Sequence, residues 1–115
     1  MMNKKIFVAC DTTSTLKAKE IIRKTQSSKL KIGYKFGLEF LNSKNGRNFI
    51  SKIKNQTIFI DTKLHDIPNT CASAVKALKD LNINYLTMHI SSGLEALKAT
   101  KKVAGKINLI GVTIL

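Results

Sequence analysis

The sequence predicts an α/β protein with a parallel sheet, and three observations lead to this fold class. Short apolar runs rich in β-branched residues have the length and composition of buried strands. The segments between them repeat apolar residues at helical spacing. The links between these elements are short, and strands that alternate with helices over short links pair in parallel with right-handed crossovers.

Five strands and four helical segments alternate along the chain. The predicted strands are Ile6–Cys10, Leu30–Gly33, Thr57–Asp61, Tyr85–Ile90 and Ile107–Leu115. The predicted helices are one from a Ser14 or Thr15 cap to about Thr25, Tyr34–Lys54 with an interruption near Asn45-Gly46, Asn69–Leu81, and one from a Ser91 or Ser92 cap to just before Gly105. Because Pro68 disfavours helical conformation at Ile67, Asn69 or Thr70 is expected to cap the third helix.

Charged residues gather where the predicted strands end. Asp61 and Lys63 are two residues apart, so a strand points them to the same side, and Asp66 follows in the next loop. Asp11 follows the first strand and Lys31 lies on the second. Active sites of parallel α/β proteins lie at the carboxyl ends of the strands. We therefore expect Asp11, Lys31, Asp61 and Lys63 to converge on one site, where alternating charges keep one another ionised.

The decamer from Asp61 to Thr70, Asp-Thr-Lys-Leu-His-Asp-Ile-Pro-Asn-Thr, resembles the signature of orotidine 5′-phosphate decarboxylase. Cys10-Asp11, Lys31-Ile-Gly33 and His89 fall in the order and spacing of that family. The resemblance implies a TIM barrel of the (β/α)8 type, of which residues 1–115 would be a single partial domain. That domain would hold the first four βα units and a fifth parallel strand.

The resemblance also implies an activity, the decarboxylation of orotidine 5′-monophosphate to UMP in pyrimidine biosynthesis. Lys63 would be the general acid that protonates C6 as carbon dioxide leaves, and its ammonium would stabilise the carbanion. Asp61 would lie against the substrate carboxylate, so that charge repulsion is relieved towards the transition state. No metal or organic cofactor is implied.

The same resemblance implies further substrate contacts. Lys31 and Asp11 would bind ribose hydroxyls and brace the charged network. Asp66 and Thr70 would reach across the interface of a homodimer into the partner's site, and Ile67 would contact the substrate. His65 and His89 are expected to be structural, and Lys35 and Glu39 to form a surface pair.

The composition argues against some other classes of protein. The net charge of +13 suggests an anionic partner, but only two of the twenty cations are Arg, and the lysines are spread along the chain. No aromatic residues interleave with them as nucleic-acid stacking requires, and no apolar run is long enough to span a membrane. Cys10 and Cys71 are expected to be buried, reduced thiols, which favours a cytoplasmic protein.

Three alternatives to the decarboxylase remain open. The Asp-x-Lys-x-x-Asp pattern is shared with sister decarboxylases of sugar phosphates, although Ile67-Pro68-Asn69-Thr70 points to the orotidine branch. A basic nucleic-acid-binding module and a non-catalytic half-barrel are the others. At 115 residues the chain is short for a closed barrel, which needs about 250 residues. It would be part of a longer polypeptide, a half that pairs with another chain, or a remnant. Because it lacks the family's phosphate loops, the isolated chain is expected to be nearly or wholly inactive.

Overall fold

A computed structural model describes residues 4–114, in which five parallel strands alternate with helices as predicted. The strands are β1 (Lys5–Ala9), β2 (Lys31–Gly37), β3 (Thr57–Leu64), β4 (Tyr85–His89) and β5 (Asn108–Val112). The helices are α1 (Thr15–Lys24), α2 (Leu38–Leu41), α3 (Gly46–Ser51), α4 (Pro68–Leu78) and α5 (Leu94–Ala104). One 3₁₀ turn, Lys79–Leu81, follows α4 and another, Ile90–Ser92, follows β4.

The chain divides between residues 59 and 60 into two compact units, and β3 contributes to both. In the first unit, β1 and β2 pair in parallel, with Lys5 opposite Lys31 and Ala9 opposite Lys35. Phe7 lies opposite Gly33, where a Cβ atom would be 2.6 Å from the phenylalanine ring. Only glycine therefore lets the ring pack against β2 at this point.

The core of the first unit is aromatic. The rings of Phe36 and Phe40 lie 4.9 Å apart, and Phe49 packs edge-on against Phe40 at 5.6 Å. The fully buried Tyr34 has its hydroxyl 2.8 Å from that of Thr25, which satisfies the polar end of the side chain. Fully burying an aromatic or aliphatic side chain contributes about 1.5–3 kcal/mol, so this cluster is a main source of stability for the unit.

In the second unit, β4 and β5 pair in parallel, with Tyr85 opposite Asn108 and His89 opposite Val112. Helices α4 and α5 pack against each other. Their small buried residues, Cys71 and Ala96, form a core cluster with Met88 of β4. Three partly buried leucines cover this cluster: Leu64, Leu97 and Leu109.

The structure corrects the predicted boundaries around β2. The predicted strand ended at Gly33 and a helix followed from Tyr34, but the strand continues to Gly37. Its buried side chains include Tyr34 and Phe36, which alternate as a strand requires. The predicted interruption near Asn45-Gly46 is confirmed, since α2 ends at Leu41 and α3 begins at Gly46.

Helix starts were predicted with mixed success. Ser14 caps α1, since its hydroxyl accepts the N–H of Lys17 at 3.1 Å. The predicted cap of α4 at Asn69 or Thr70 is wrong, because the helix begins at Pro68, a residue suited to the first helical position. The predicted serine cap of α5 is also wrong: Ser91 and Ser92 form the 3₁₀ turn, and Gly93 precedes the helix.

Two strand ends also differ from the prediction. β3 extends beyond Asp61 to Leu64, so Lys63 belongs to the strand. β5 covers Asn108–Val112, and the predicted end at Leu115 lies outside the described residues. None of the helices in residues 4–114 is both long and apolar enough to cross a membrane.

Candidate active site

Asp61 and Lys63 form an ion pair at the carboxyl end of β3. The Lys63 Nζ atom lies 2.7 Å from Asp61 Oδ2, which confirms that the two side chains share one side of the strand. The Asp61 side chain is 14% exposed and that of Lys63 is 38% exposed. The pair is therefore partly shielded from water, and Lys63 is the more exposed of its two members.

The backbone of Lys63 has an unusual conformation. Its φ angle is +50°, in the left-handed region that residues with a Cβ atom rarely adopt. Its N–H donates to the hydroxyl of Thr87, at 2.9 Å. Backbone strain of this kind is common at active sites, where the surrounding structure holds it in place.

Thr87 of β4 contacts both members of the ion pair and was not among the predicted site residues. Its hydroxyl donates to Asp61 Oδ1 at 2.8 Å and accepts the Lys63 N–H. Its carbonyl accepts the hydroxyl of Thr62 at 3.2 Å. The only sequence signal was a hydroxyl within an apolar strand, between Leu86 and Met88.

The residues after β3 form an exposed loop at the start of α4. The carboxylate of Asp66 accepts a hydrogen bond from the N–H of Ile67, at 2.8 Å. The backbone carbonyl of Asp66 accepts one from the thiol of Cys71, at 3.3 Å. Ile67 is 64% exposed, and Thr70 is exposed too. These three predicted site residues, Asp66, Ile67 and Thr70, thus face solvent, and the contacts of Asp66 shape the loop.

In the first unit, Lys35 rather than Lys31 lies beside the end of β1. Asp11 follows Cys10, whose N–H donates to the carbonyl of Lys35 at 2.8 Å. Lys35 is partly buried near the carboxyl end of β2. Lys35 and Glu39 do not share one helix as expected, because Lys35 lies in β2 and Glu39 in α2.

Lys31 was expected to lie on the second strand and to converge with Asp11 on one site; it lies on β2, but at the amino end of that strand. It is the first residue of β2, opposite Lys5, and the strand continues beyond the predicted end at Gly33 to Gly37. There it is exposed and lines a cavity of about 360 Å³ with Lys5, Gln26 and Gln56. The register therefore puts Lys31 at the opposite end of β2 from Lys35.

The remaining polar groups fit structural roles. The rings of His65 and His89 lie 4.8 Å apart, and His65 Nε2 is 3.4 Å from the Ser91 hydroxyl. The two cysteines are buried and free, as expected. Burial, together with the negative charge of Asp11, raises the pKa of the Cys10 thiol to about 11. Among residues 4–114, no three His, Cys, Asp or Glu side chains could together hold a metal ion.

Parallel βα units that carry charged side chains where their strands end are typical of one class of protein, the β/α-barrel enzymes. Comparison with known proteins identifies the group more closely. The model of the orotidine 5′-phosphate decarboxylase / HUMPS family matches residues 4–115, and the chain belongs to this family.

Individual relatives agree. The chain is 43% identical over 103 residues to orotidine 5′-phosphate decarboxylase of Fusobacterium nucleatum, covering 88% of this chain and 42% of the relative. It is 38% identical over 115 residues to that of Oenococcus oeni, covering 97% of this chain and 50% of the relative. The chain thus spans about half the length of the relatives it matches.

Solved structures show the same relation in three dimensions. The crystal structure of orotidine 5′-phosphate decarboxylase from Lactobacillus acidophilus superposes with a TM-score of 0.82 at 32% identity, covering 96% of this chain and 53% of the other. That of orotidine 5′-monophosphate decarboxylase from Methanocaldococcus jannaschii, complexed with the inhibitor BMP, superposes with a TM-score of 0.82 at 24% identity, covering 96% and 52%. The fold therefore matches the first half of the family's TIM barrel.

Proposed function

We propose that this chain carries catalytic residues of a cytoplasmic enzyme that decarboxylates orotidine 5′-monophosphate to UMP. The observation that carries the proposal is the 2.7 Å pair of Lys63 and Asp61 at the end of β3, within the motif that continues to Thr70. Homologues that share this part of the chain are orotidine 5′-phosphate decarboxylases. Two free, buried thiols fit a reducing compartment.

In the proposed reaction, the bond between C6 of the pyrimidine and its carboxylate breaks. Carbon dioxide leaves, and the electron pair stays on C6. The Lys63 ammonium stabilises this charge and delivers its proton to C6, after which solvent reprotonates the amine. Asp61 holds Lys63 in place, and its negative charge opposes that of the substrate carboxylate until carbon dioxide departs.

We propose that Lys35, rather than Lys31, is the lysine of the second strand that binds substrate. Lys35 lies opposite Ala9, two residues before Asp11, whereas Lys31 lies at the amino end of β2. Asp11 and Lys35 would contact ribose hydroxyls, the role that the family resemblance implied for Asp11 and Lys31. This choice keeps the family's Lys-x-Gly pattern, since Gly37 follows Lys35 just as Gly33 follows Lys31.

We further propose that Asp66, Ile67 and Thr70 act in a homodimer, on the substrate bound by the partner. Their exposure supports this, because residues that reach another protomer must lie on the surface of their own. Ile67 in particular exposes a large apolar side chain that an interface would cover.

The test is decarboxylation of orotidine 5′-monophosphate, measured as release of labelled carbon dioxide. Because the chain spans about half of its relatives, it is assayed alone and mixed with the unmatched half of the Lactobacillus acidophilus relative. We expect little turnover alone and measurable turnover in the mixture. Remote phosphate contacts, which the added half of the relative would supply, support chemistry at the reacting centre.

Two variants identify the source of any turnover. Lys63→Ala should reduce kcat by about 10²–10⁴-fold, the usual contribution of a general acid. Lys76→Ala, at an exposed lysine of α4, is the matched control and should leave the rate unchanged. Turnover that survives Lys63→Ala would refute the proposed role of Lys63. A mixture that forms a stable complex and binds a pentulose phosphate in preference to UMP would favour a sister sugar-phosphate decarboxylase.

A further inference from the structure

We propose that Thr87 is a positioning residue that fixes the geometry of the Asp61–Lys63 pair. Thr87 is only 4% exposed, and it lies in β4 between the buried Leu86 and Met88. A buried hydroxyl is costly unless it is hydrogen-bonded, so its partners indicate why it is there. This inference rests on the proposed catalytic function of Asp61 and Lys63.

The direction of each hydrogen bond of Thr87 follows from its partners. An ionised carboxylate only accepts, so the single proton of the Thr87 hydroxyl points to Asp61 Oδ1, at 2.8 Å. A backbone N–H only donates, so a lone pair of the same oxygen accepts from Lys63, at 2.9 Å. The hydroxyl is thus oriented without ambiguity, and it links the two residues independently of their own ion pair.

These bonds determine where the ammonium lies. One oxygen of Asp61 is held by Thr87 and the other by Lys63 Nζ, at 2.7 Å, so the plane of the carboxylate is fixed at both ends. The bond to the Lys63 N–H also holds that residue at its φ angle of +50°. Thr87 itself is anchored through its carbonyl, which accepts the hydroxyl of Thr62. A displacement of the proton donor by about 1 Å can lower a rate about 10²-fold, so such positioning has catalytic value.

The test measures the ground state and requires no substrate, so it is independent of whether the chain turns over orotidine 5′-monophosphate. The chain contains four aspartates, Asp11, Asp61, Asp66 and Asp80, and ¹³C labelling of their carboxyl groups gives four NMR signals. Asp61→Asn identifies the signal of Asp61. A pH titration then gives the pKa of Asp61 in each variant.

Three variants separate positioning from general packing. Thr87→Val keeps the branched shape and removes the hydroxyl, whereas Thr87→Ser keeps the hydroxyl. Thr100→Val is the matched control: Thr100 is buried in α5, and its hydroxyl donates to Ala96 within the same helix, at 2.7 Å. A hydrogen bond to the charged form lowers the pKa of a carboxyl group, so Thr87→Val should raise the pKa of Asp61 by about one pH unit.

The expected pattern is a raised Asp61 pKa in Thr87→Val, a return to the wild-type value in Thr87→Ser, and no change in Thr100→Val. A folded Thr87→Val protein with an unchanged Asp61 pKa would overturn the proposal. If that variant does not fold, the hydrogen bond from Thr87 to Asp61 is measured directly in the wild-type protein. A slowly exchanging Thr87 hydroxyl proton coupled to the Asp61 carboxyl carbon supports the proposal, and a hydroxyl proton that exchanges at the rate of solvent-exposed threonines contradicts it.

Discussion

The left-handed backbone of Lys63 predicts an unusual order of stability among substitutions at that position. At a φ angle of +50°, a residue with a Cβ atom is strained by about 1–2 kcal/mol, and glycine is not. Lys63→Ala and Lys63→Gly both remove the ion pair with Asp61, but only the glycine variant also releases the strain.

The difference in stability between the two variants follows from the backbone strain and from the conformational freedom of glycine. A partly exposed ion pair contributes about 0–1 kcal/mol, and its loss is common to both variants, so it cancels in their comparison. Glycine has greater conformational freedom in the unfolded chain, which reduces its advantage by about 0.5–1 kcal/mol. We therefore expect Lys63→Gly to have a free energy of unfolding about 0.5–1 kcal/mol higher than that of Lys63→Ala.

Urea unfolding monitored by circular dichroism measures this difference. The matched control is Lys98, an exposed lysine inside α5. In a helix interior, glycine is less favourable than alanine by about 1 kcal/mol, so the order of the two variants should reverse there. If Lys63→Ala were as stable as Lys63→Gly, while Lys98 showed its expected order, the strain attributed to Lys63 would be refuted.

Two further predictions concern the first unit. Lys35→Ala should weaken UMP binding by the 115-residue chain at least about tenfold in an NMR titration, because it removes a charged contact. Lys31→Ala should leave the affinity for UMP unchanged. The reverse result would show that Lys31, and not Lys35, binds the nucleotide. The free energy of unfolding should fall as pH rises from about 9 to about 11, because the folded state keeps the Cys10 thiol protonated, with a pKa of about 11, while the unfolded state loses the proton at about 9. Over this pH range the free energy of unfolding should fall by up to about 2 kcal/mol less in Cys10→Ala than in the wild-type protein. An equal fall in both proteins would contradict the raised pKa of Cys10.

The pair at the end of β3 could be predicted because its geometry is local. Asp61 and Lys63 are two residues apart in an apolar, β-branched segment, and the period of a strand predicts that their side chains lie on the same side. Thr87 could not be predicted in the same way. Its contacts with β3 depend on the register between two strands that lie more than twenty residues apart in the sequence, and no local pattern encodes that register.

The prediction that Lys31 rather than Lys35 lies beside the end of β1 failed for a similar reason. The segment that forms β2 contains Lys-x-Gly twice, as Lys31-Ile-Gly33 and again as Lys35-Phe-Gly37, and either triplet can end a strand. Burial decides between them. Tyr34 and Phe36 are fully buried, and this is compatible with a strand that continues to Gly37 rather than with a helix that begins at Tyr34.

The repeated triplet also bears on how the first unit folds. If β2 slipped by four residues along β1, every side chain would keep its side of the strand, and Lys31 would occupy the place of Lys35. The slipped pairing would therefore be a misfolded state that reproduces the local charge pattern of the native one. It would, however, carry Gly33 away from the ring of Phe7, which packs there in the native register. It would also carry Tyr34 and Phe36 beyond the end of β1. Native pairing is thus selected by aromatic packing, and substitutions that shrink these rings should slow refolding by giving the slipped register a longer lifetime.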